Sequence, residues 1–177
     1  QVQMGNIGQH YFEWRYNGNG GPATATKPAP SNPAYISIPM LGVMTKVEHV
    51  GVDANNNMDI PADPFNVAWY KFGPLPGKQG NAVMDGHLDW YGIKEAVFYD
   101  LAKLKVGDRI YVRDDKGVDR GFVITRQLVC PYNNCPVQDV FGPTSAIHLN
   151  LITCNGTFNR TQQNYDKRLV VFSDALQ

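Results

Sequence analysis

The sequence predicts a mainly β protein, a closed or nearly closed barrel of about seven or eight short strands with one or two short helices. Three observations support this fold class. Short runs rich in β-branched and aromatic residues recur along the chain. The chain contains 12 prolines and 17 glycines, many of which lie between these runs. A helical spacing of apolar residues occurs in one short stretch.

The predicted strands follow one another through the second part of the chain. They cover residues 35–38, 47–52, 81–84, 109–113 and 121–129, and then the two segments around Cys154 and Arg168. Turn-forming residues such as those at 114–117 separate them. A short helix is predicted over residues 93–102, because its apolar residues recur every four positions.

The first 33 residues differ from the rest. Residues 17–33 are rich in Asn, Gly, Ala, Thr and Pro, which indicates a flexible or extended linker. The aromatic segment at residues 10–16 is a candidate for docking on the domain surface, and a stalk or tag sequence is an equal alternative. We therefore divide the chain into an N-terminal extension, residues 1–33, and a globular domain, residues 34–177.

Charge and hydropathy exclude several classes of function. Sixteen basic and sixteen acidic residues balance, so the chain lacks the basic surplus typical of nucleic-acid binding. No apolar run reaches the length of about 18 residues that a membrane-spanning helix needs. The sequence starts at Gln1 without the features of a signal peptide, and we interpret it as a processed or truncated form.

The chain has three cysteines. Cys130 and Cys135 flank a turn-forming Pro-Tyr-Asn-Asn segment and are predicted to form a disulfide, with three reduced cysteines as the alternative. Closing so short a loop stabilises little through chain entropy, so the bridge would mainly rigidify the loop. This pairing leaves Cys154 as the free thiol. No Cys/His spacing suits zinc, and the acidic residues between positions 53 and 63 are expected to form turns rather than a metal site.

Cys154 ends an apolar strand pattern and is followed by Asn-Gly. About a dozen residues later, a second strand pattern opens on Arg168. A guanidinium beside a thiol favours the thiolate and could hold an oxyanion. We therefore predict a cysteine-dependent enzyme in which Cys154 is the nucleophile and Arg168 stabilises the oxyanion. Arg160 lies in a polar loop, where solvation makes it the weaker candidate.

A cysteine nucleophile needs a proton-transfer partner, and the chain has four histidines. His10 lies in the N-terminal extension, and His49 lies within a strand where a structural role is expected. His148 shares the strand of the thiol, but the six residues between them span about 20 Å. His87 stands at a strand end, where functional groups are common, and it is our candidate for the acid and base. A purely structural histidine is the alternative.

The segments around these residues resemble the sortases, cysteine transpeptidases of bacterial cell surfaces. The family motif Thr-Leu-X-Thr-Cys is matched by Asn-Leu-Ile-Thr-Cys at residues 150–154. The Gly-His-Val/Ile-Asp element is matched by Gly-His-Leu-Asp at residues 86–89, and the Arg-Leu-Val-Val strand by residues 168–171. The resemblance covers about residues 34–175, identifies them as the catalytic domain, and is strongest to classes E and F.

Two positions depart from the family pattern. Asn150 replaces the usual Thr and lies on the same strand face as the thiol, where it could alter the substrate groove. Asp85 replaces a small residue ahead of Gly-His. Its carboxylate could raise the pKa of the His87 imidazole or simply face solvent.

The resemblance implies an activity. Cys154 would attack the Thr carbonyl of a sorting signal similar to Leu-Pro-X-Thr-Gly and form a thioester. His87 would protonate the departing Gly amine and then accept a proton from the incoming amine, while Arg168 would hold the oxyanion or the substrate backbone. The residues expected to contact the substrate are Thr153, Asn150 and Trp90. The connection at residues 131–145 would form one wall of the groove.

The resemblance also implies the partners and the location. The acyl acceptor would be a cell-wall peptide amine or a pilin lysine, and no cofactor or metal is expected. The enzyme would act as a monomer at the extracytoplasmic face of the bacterial membrane, through a tether outside this sequence. Two alternatives stay open, a cysteine hydrolase of the same fold and a non-enzymatic β-barrel that merely buries Cys154.

Overall fold

Eight strands close into a barrel in the computed structural model, which describes residues 27–177. The strands are β1 Pro33–Ile38, β2 Val43–Val50, β3 Val67–Tyr70, β4 Gly80–Asp85, β5 Arg109–Asp114, β6 Asp119–Pro131, β7 Ile147–Asn159 and β8 Asn164–Ala175. Short 3-10 turns occupy Pro39–Leu41 and Leu101–Lys103, and the helix α1 spans Val137–Phe141. The predicted β-barrel is confirmed. The aromatic segment at residues 10–16 and His10 lie outside the described residues.

The strand order around the barrel is β1-β2-β3-β4-β7-β8-β6-β5. Two of the pairs are parallel, β2 with β3 and β4 with β7. The β7–β8 pair is an antiparallel hairpin that continues into β6. As a result, β4, which is distant in sequence, lies beside the β7–β8 hairpin in the sheet.

Alternate residues of each strand fill the barrel. On β7 and β8 the inward residues include Leu149, Leu151, Leu169 and Val171, all of them buried. A second apolar cluster lies on the outer face of the sheet, and its buried members are Val83, Cys130, Val140, Val170 and Phe172. Helix α1 contributes Val140 to this outer cluster and therefore covers part of the outer face.

The helix predicted over residues 93–102 is wrong, apart from the 3-10 turn at its end. The backbone N–H of Ala96 donates to the Leu88 carbonyl at 3.1 Å, and those of Val97 and Phe98 donate to the Pro64 and His87 carbonyls at 3.0 and 2.9 Å. These bonds replace the i to i−4 bonds of a helix. Of the three spaced apolar residues, Leu101 is fully buried while Ile93 and Val97 are only partly buried, so the spacing does not reflect one buried helical face.

Two elements were missed from the sequence. Strand β3 has only four residues, and three of them in succession are buried, so it shows no alternation. Helix α1 has five residues and lies inside the segment predicted as a long connection. Both elements border the groove described below.

A disulfide joins Cys130 at the end of β6 to Cys135, with their Cα atoms 5.2 Å apart. It ties the loop ahead of α1 to the sheet. Cys154 is a free cysteine. Within residues 27–177, no helical segment has the length and apolar character needed to cross a membrane.

Candidate active site

Cys154 and Arg168 lie directly opposite each other on β7 and β8. In an antiparallel pair, such partners have their Cα atoms about 4.5–5.5 Å apart. Because Leu149 and Leu151 of β7 fill the barrel, alternation places Cys154 on the outer face. The antiparallel hairpin therefore brings the thiol and the guanidinium together, as the sequence suggested.

His87 reaches the same place from β4. The backbone N–H of Gly86 donates to the Ile152 carbonyl at 3.2 Å, and the Thr153 hydroxyl donates to the Gly86 carbonyl at 2.8 Å. These bonds continue the β4–β7 pairing by one residue beyond the strand. His87 then comes level with Cys154 and lines the same groove.

The glycine before His87 has a steric cause. A Cβ atom at Gly86 would lie 2.6 Å from the Phe98 ring and 2.7 Å from the Val97 side chain. Phe98 is fully buried and cannot give way cheaply. Glycine is therefore the residue that lets the chain pass over Phe98 and deliver His87 to the site.

The His87 ring is held by two contacts. Its Nε2 atom lies 2.9 Å from the Pro61 carbonyl oxygen, and the Trp90 ring packs against it at a tilt of 54°, with ring centroids 4.3 Å apart. A carbonyl can only accept, so Nε2 carries a hydrogen in both the neutral and the charged imidazole. The proton that exchanges during a reaction is then the one on Nδ1. Trp90, predicted to contact substrate, supports the imidazole in this structure.

Arg168 is fixed by its own hairpin. One guanidinium nitrogen donates to Asn164 Oδ1 at 2.8 Å, and the other donates to the carbonyls of Tyr165 and Lys167 at 3.1 and 2.9 Å. The guanidinium carbon also lies 5.8 Å from the centroid of the Tyr132 ring. A guanidinium held by several hydrogen-bond acceptors and a ring is preorganised, so its position changes little when a substrate oxygen arrives.

Tyr165 links the histidine segment to the arginine hairpin. Its hydroxyl donates to the Asp89 carboxylate, two residues after His87, while its carbonyl accepts from Arg168. Burial, together with the hydrogen bond and the charge of Asp89, raises the pKa of Tyr165 to about 12. Sequence reasoning missed Tyr165. The aspartate of the Gly-His-Leu-Asp segment was the available signal, but nothing in the sequence indicated its partner.

The thiol of Cys154 is not an intrinsically acidic one. Burial raises its pKa, the Arg168 charge lowers it, and the carboxylates of Asp85 and Asp89 raise it, with a net increase. Arg168 therefore acts in the expected direction, but burial outweighs it. The thiolate is a minor species at neutral pH and has to be generated or stabilised when substrate is bound.

Asp85 is a half-buried acid in the floor of the groove, and its Oδ1 atom is buried. Among the described residues, its Oδ1 atom has no hydrogen-bond partner. Burial raises the pKa of Asp85 well above its usual range, and the charges of Asp59 and Glu48 add to this while Arg168 opposes it. The sequence analysis allowed that the Asp85 carboxylate simply faces solvent, and the structure does not agree with that alternative.

The raised pKa of Asp85 predicts that the stability of the protein depends on pH. Its folded pKa lies above the unfolded value of about 3.9, so the native state holds the proton more tightly and stability falls as pH rises from about 4 through the folded pKa. Asp85→Asn removes this loss. The melting temperature of the variant is therefore expected to exceed that of the wild type by more at pH 8 than at pH 4. An equal difference at both pH values would contradict this assignment.

The three candidate residues line one groove, with a volume of about 1190 Å³. Its floor is the outer face of β4, β7 and β8. One wall is formed by the β2–β3 and β3–β4 connections, and the other by the loop after β6 together with α1. Thr153 also lines the groove, and its hydroxyl donates a hydrogen bond to the Gly86 carbonyl.

Asn150 lies behind the second wall rather than on the groove surface. It is fully buried, and its side-chain amide donates to Asn81 Oδ1 at 3.0 Å and to the Val140 carbonyl at 2.9 Å. Asn81 in turn donates to the Gly142 carbonyl at 2.7 Å. In this structure Asn150 fixes α1 on the sheet, so any influence on substrate passes through the position of that wall.

The rejected candidates have other roles. His49 Nε2 lies 2.7 Å from the Pro33 carbonyl, and His148 pairs with Asp174 at 2.8 Å on the far part of β7. Arg160 is exposed in the β7–β8 turn. In residues 27–177, no group of three or more His, Cys, Asp or Glu side chains is arranged to hold a metal ion.

Comparison with known proteins agrees with this arrangement. Residues 36–176, most of the chain, match the sortase domain family. The chain belongs to the sortase family. No curated protein matches the chain at a significant level. Its assignment to classes E and F stays a prediction.

Solved sortase structures share the fold of this sortase. Sortase C1 from Streptococcus suis superposes with a TM-score of 0.61 at 17% identity, covering 83% of this chain and 74% of that one. Sortase A from Corynebacterium diphtheriae gives 0.62 at 16% identity, with coverage of 98% and 83%. Sortase A from Listeria monocytogenes gives 0.61 at 21% identity, with coverage of 81% and 86%. At these identities the likeness concerns the fold alone.

Proposed function

We propose that this sortase is a transpeptidase that cleaves a sorting signal similar to Leu-Pro-X-Thr-Gly between Thr and Gly. The main support is that Cys154 lies directly opposite Arg168 and that His87 lines the same groove as both. The groove is large enough for an extended peptide. A thiol, a proton carrier and a fixed cation are the three groups that acyl transfer requires.

In the first half-reaction, the Cys154 thiolate attacks the Thr carbonyl carbon and forms the C–S bond. The carbonyl oxygen becomes an oxyanion, which Arg168 stabilises by charge and hydrogen bonding. The imidazolium of His87 gives its Nδ1 proton to the Gly nitrogen as the C–N bond breaks. The products are a thioester on Cys154, a free Gly amine and a neutral imidazole.

In the second half-reaction, an amine attacks the thioester carbonyl and His87 Nδ1 accepts the proton that the amine loses. The tetrahedral intermediate collapses to a new peptide bond and releases the Cys154 thiolate. The imidazolium and the thiolate of the first step are thereby restored. The Pro61 carbonyl keeps Nε2 protonated throughout, so proton exchange is confined to one ring nitrogen.

We propose that the acceptor is a cell-wall peptide amine or a pilin lysine, and that the enzyme acts at the extracytoplasmic face of a bacterial membrane. The Cys130–Cys135 disulfide supports this location, because disulfides persist mainly in oxidising compartments. A monomer suffices, since all three groups come from one chain. Thr153 remains the proposed substrate-side residue, while Trp90 and Asn150 would influence the substrate only through the His87 ring and the position of α1.

The product ratio tests transfer against hydrolysis. A peptide containing Leu-Pro-X-Thr-Gly is incubated with the protein, with and without triglycine, and the products are separated by mass. The proposal predicts a Thr-triglycine ligation product that grows with triglycine concentration. Release of the free Thr carboxylate alone, at every triglycine concentration, would identify a hydrolase of the same fold instead.

A further inference from the structure

The candidate acid and base, His87, bonds a backbone carbonyl rather than a side-chain carboxylate. Its Nε2 atom lies 2.9 Å from the Pro61 oxygen, and Pro61 is buried. The same peptide group carries the N–H of Ala62, because a peptide bond joins the carbonyl of one residue to the nitrogen of the next. A group that accepts this N–H therefore also fixes and polarises the carbonyl that holds His87.

The N–H of Ala62 donates to a carboxylate. Glu48 Oε2 accepts it at 2.8 Å. Glu48 Oε1 accepts the Asp63 N–H at 3.1 Å and the Asn66 side-chain amide at 3.0 Å. Glu48 lies on β2 and does not line the groove. Its carboxylate therefore reaches the site through the peptide group that His87 bonds.

The Glu48 carboxylate is ionised at neutral pH. Burial raises its pKa, and the three hydrogen bonds that it accepts lower it. The charge of His87 lowers the pKa further, and the net change is a decrease from the ordinary value. Hydrogen bonds to an ionised acceptor are about twice as strong as those between neutral groups. Negative charge at the peptide N–H makes the carbonyl oxygen a better acceptor, which favours an imidazolium N–H over a neutral one.

The later part of this loop has anchors of its own. The Thr45 hydroxyl of β2 donates to the Phe65 carbonyl at 2.7 Å, and the Val97 N–H donates to the Pro64 carbonyl at 3.0 Å. Loss of the Glu48 charge is therefore expected to loosen the peptide group at residues 61–62 while the rest of the loop stays attached to the barrel.

We propose that Glu48 is a positioning residue for the acid–base step and acts on His87 through the Pro61–Ala62 peptide group. This inference rests on the proposed transpeptidase function. In the first half-reaction, the polarised carbonyl holds the imidazolium while its Nδ1 proton passes to the Gly nitrogen. In the second, it keeps the hydrogen on Nε2, so that Nδ1 can accept the proton of the incoming amine. The carboxylate takes the place of the one that bonds the histidine of a Ser-His-Asp triad, with one peptide group between.

Glu48→Gln removes the charge and keeps the shape of the side chain. It is expected to lower kcat for sorting-signal peptides about tenfold with KM within about twofold, the lower end of the range for partners that orient a metal-bound histidine. A p-nitrophenyl ester with the same acyl part needs no proton on its leaving group. Acylation by this ester is expected to fall by no more than about twofold. Equal losses on the peptide and the ester overturn the proposal.

Asp114→Asn is the matched control. Asp114 Oδ1 accepts the N–H groups of Lys116 and Val118 at 3.0 and 2.9 Å, in the turn between β5 and β6 and outside the groove. The change removes a charge from a carboxylate that also bonds two backbone N–H groups. It is expected to lower the melting temperature and leave the ratio of ester to peptide rates unchanged. A rise in this ratio as large as that in Glu48→Gln would show that the ratio reports stability alone, and it overturns the proposal.

The ¹⁵N chemical shifts of the His87 ring test the role of Glu48 without substrate, with the signals assigned by their absence in His87→Ala. At a pH where the ring is neutral, the wild type is expected to hold its hydrogen mainly on Nε2. Glu48→Gln is expected to raise the share of the Nδ1–H form, and Asp114→Asn is not.

These shifts separate the two proposals. A wild-type ring with its hydrogen mainly on Nδ1, or unchanged shifts in Glu48→Gln, contradicts the role of Glu48 even if peptides are ligated to triglycine. The expected change of tautomer in a protein that cleaves no peptide supports the hold of Glu48 on His87 and contradicts the transpeptidase.

Discussion

Arg168→Lys is expected to lower kcat/KM for sorting-signal peptides by about 10²–10³-fold, the usual effect of losing a preorganised oxyanion donor. Lysine keeps the charge but not the planar fork that bonds Asn164 and the Tyr165 carbonyl. The cation is then no longer fixed opposite Cys154. The measurement is steady-state cleavage of a fluorogenic peptide, with circular dichroism to confirm that the variant is folded.

Arg160→Lys is the matched control for this prediction. Arg160 lies in the same hairpin but is exposed at its turn. The change is expected to leave kcat/KM within about twofold of wild type, because surface substitutions rarely disturb a distant site. Similar losses for the two variants would mean that the hairpin as a whole, and not the position of the Arg168 guanidinium, governs activity.

His87→Ala is expected to lower kcat/KM for peptides by about 10²–10⁴-fold, the range associated with general acid–base catalysis. The loss arises because the leaving amine must be protonated as the C–N bond breaks. A substrate with the same acyl part and a p-nitrophenyl ester needs no such proton. The variant is therefore expected to retain much more of its acylation rate on the ester than on the peptide.

His49→Ala serves as the control, since His49 also bonds a proline carbonyl through Nε2 but lies outside the groove. It is expected to reduce thermal stability without changing the ratio of ester to peptide rates. If His87→Ala slowed the ester and the peptide equally, His87 would act in binding or positioning rather than as the acid. The mechanism above would then lose its proton carrier.

The meeting of Cys154 and Arg168 could be predicted from the sequence because both stand at comparable places on consecutive strands. An antiparallel hairpin with the thiol near the end of one strand and the guanidinium near the start of the next leaves few other registers. His87 could be predicted as a candidate because it stands at a strand end, where functional groups are common. The structure supplies the cause of the glycine before His87, the buried Phe98 ring.

The features that could not be predicted depend on contacts between segments that are distant in sequence. Residues 93–102 have helical apolar spacing, yet the N–H groups of Ala96, Val97 and Phe98 donate to carbonyls outside the segment. The raised pKa of Asp85 follows from desolvation and from the carboxylates of Asp59 and Glu48, and no local pattern encodes those neighbours. The bond between Tyr165 and Asp89 joins positions 76 residues apart and leaves no local trace in the sequence.

The pKa of the Cys154 thiol could not be predicted from the sequence either. A nearby arginine predicts a lowered thiol pKa, but the outcome depends on burial and on Asp85 and Asp89, which raise it. The charge of Arg168 is therefore better understood as stabilising the transition state than as maintaining a thiolate at rest. This is why the Arg168 substitution is expected to act mainly on the chemical step.

Trapping the acyl-enzyme tests the central claim most directly. The protein is mixed with a Leu-Pro-X-Thr-Gly peptide, quenched in acid within milliseconds to seconds, and analysed by intact mass and peptide mapping. The account predicts an adduct equal to the acyl part of the peptide, attached to Cys154, removed by hydroxylamine and absent in Cys154→Ala. Cleavage that persists in Cys154→Ala, or an adduct on any other residue, would contradict it.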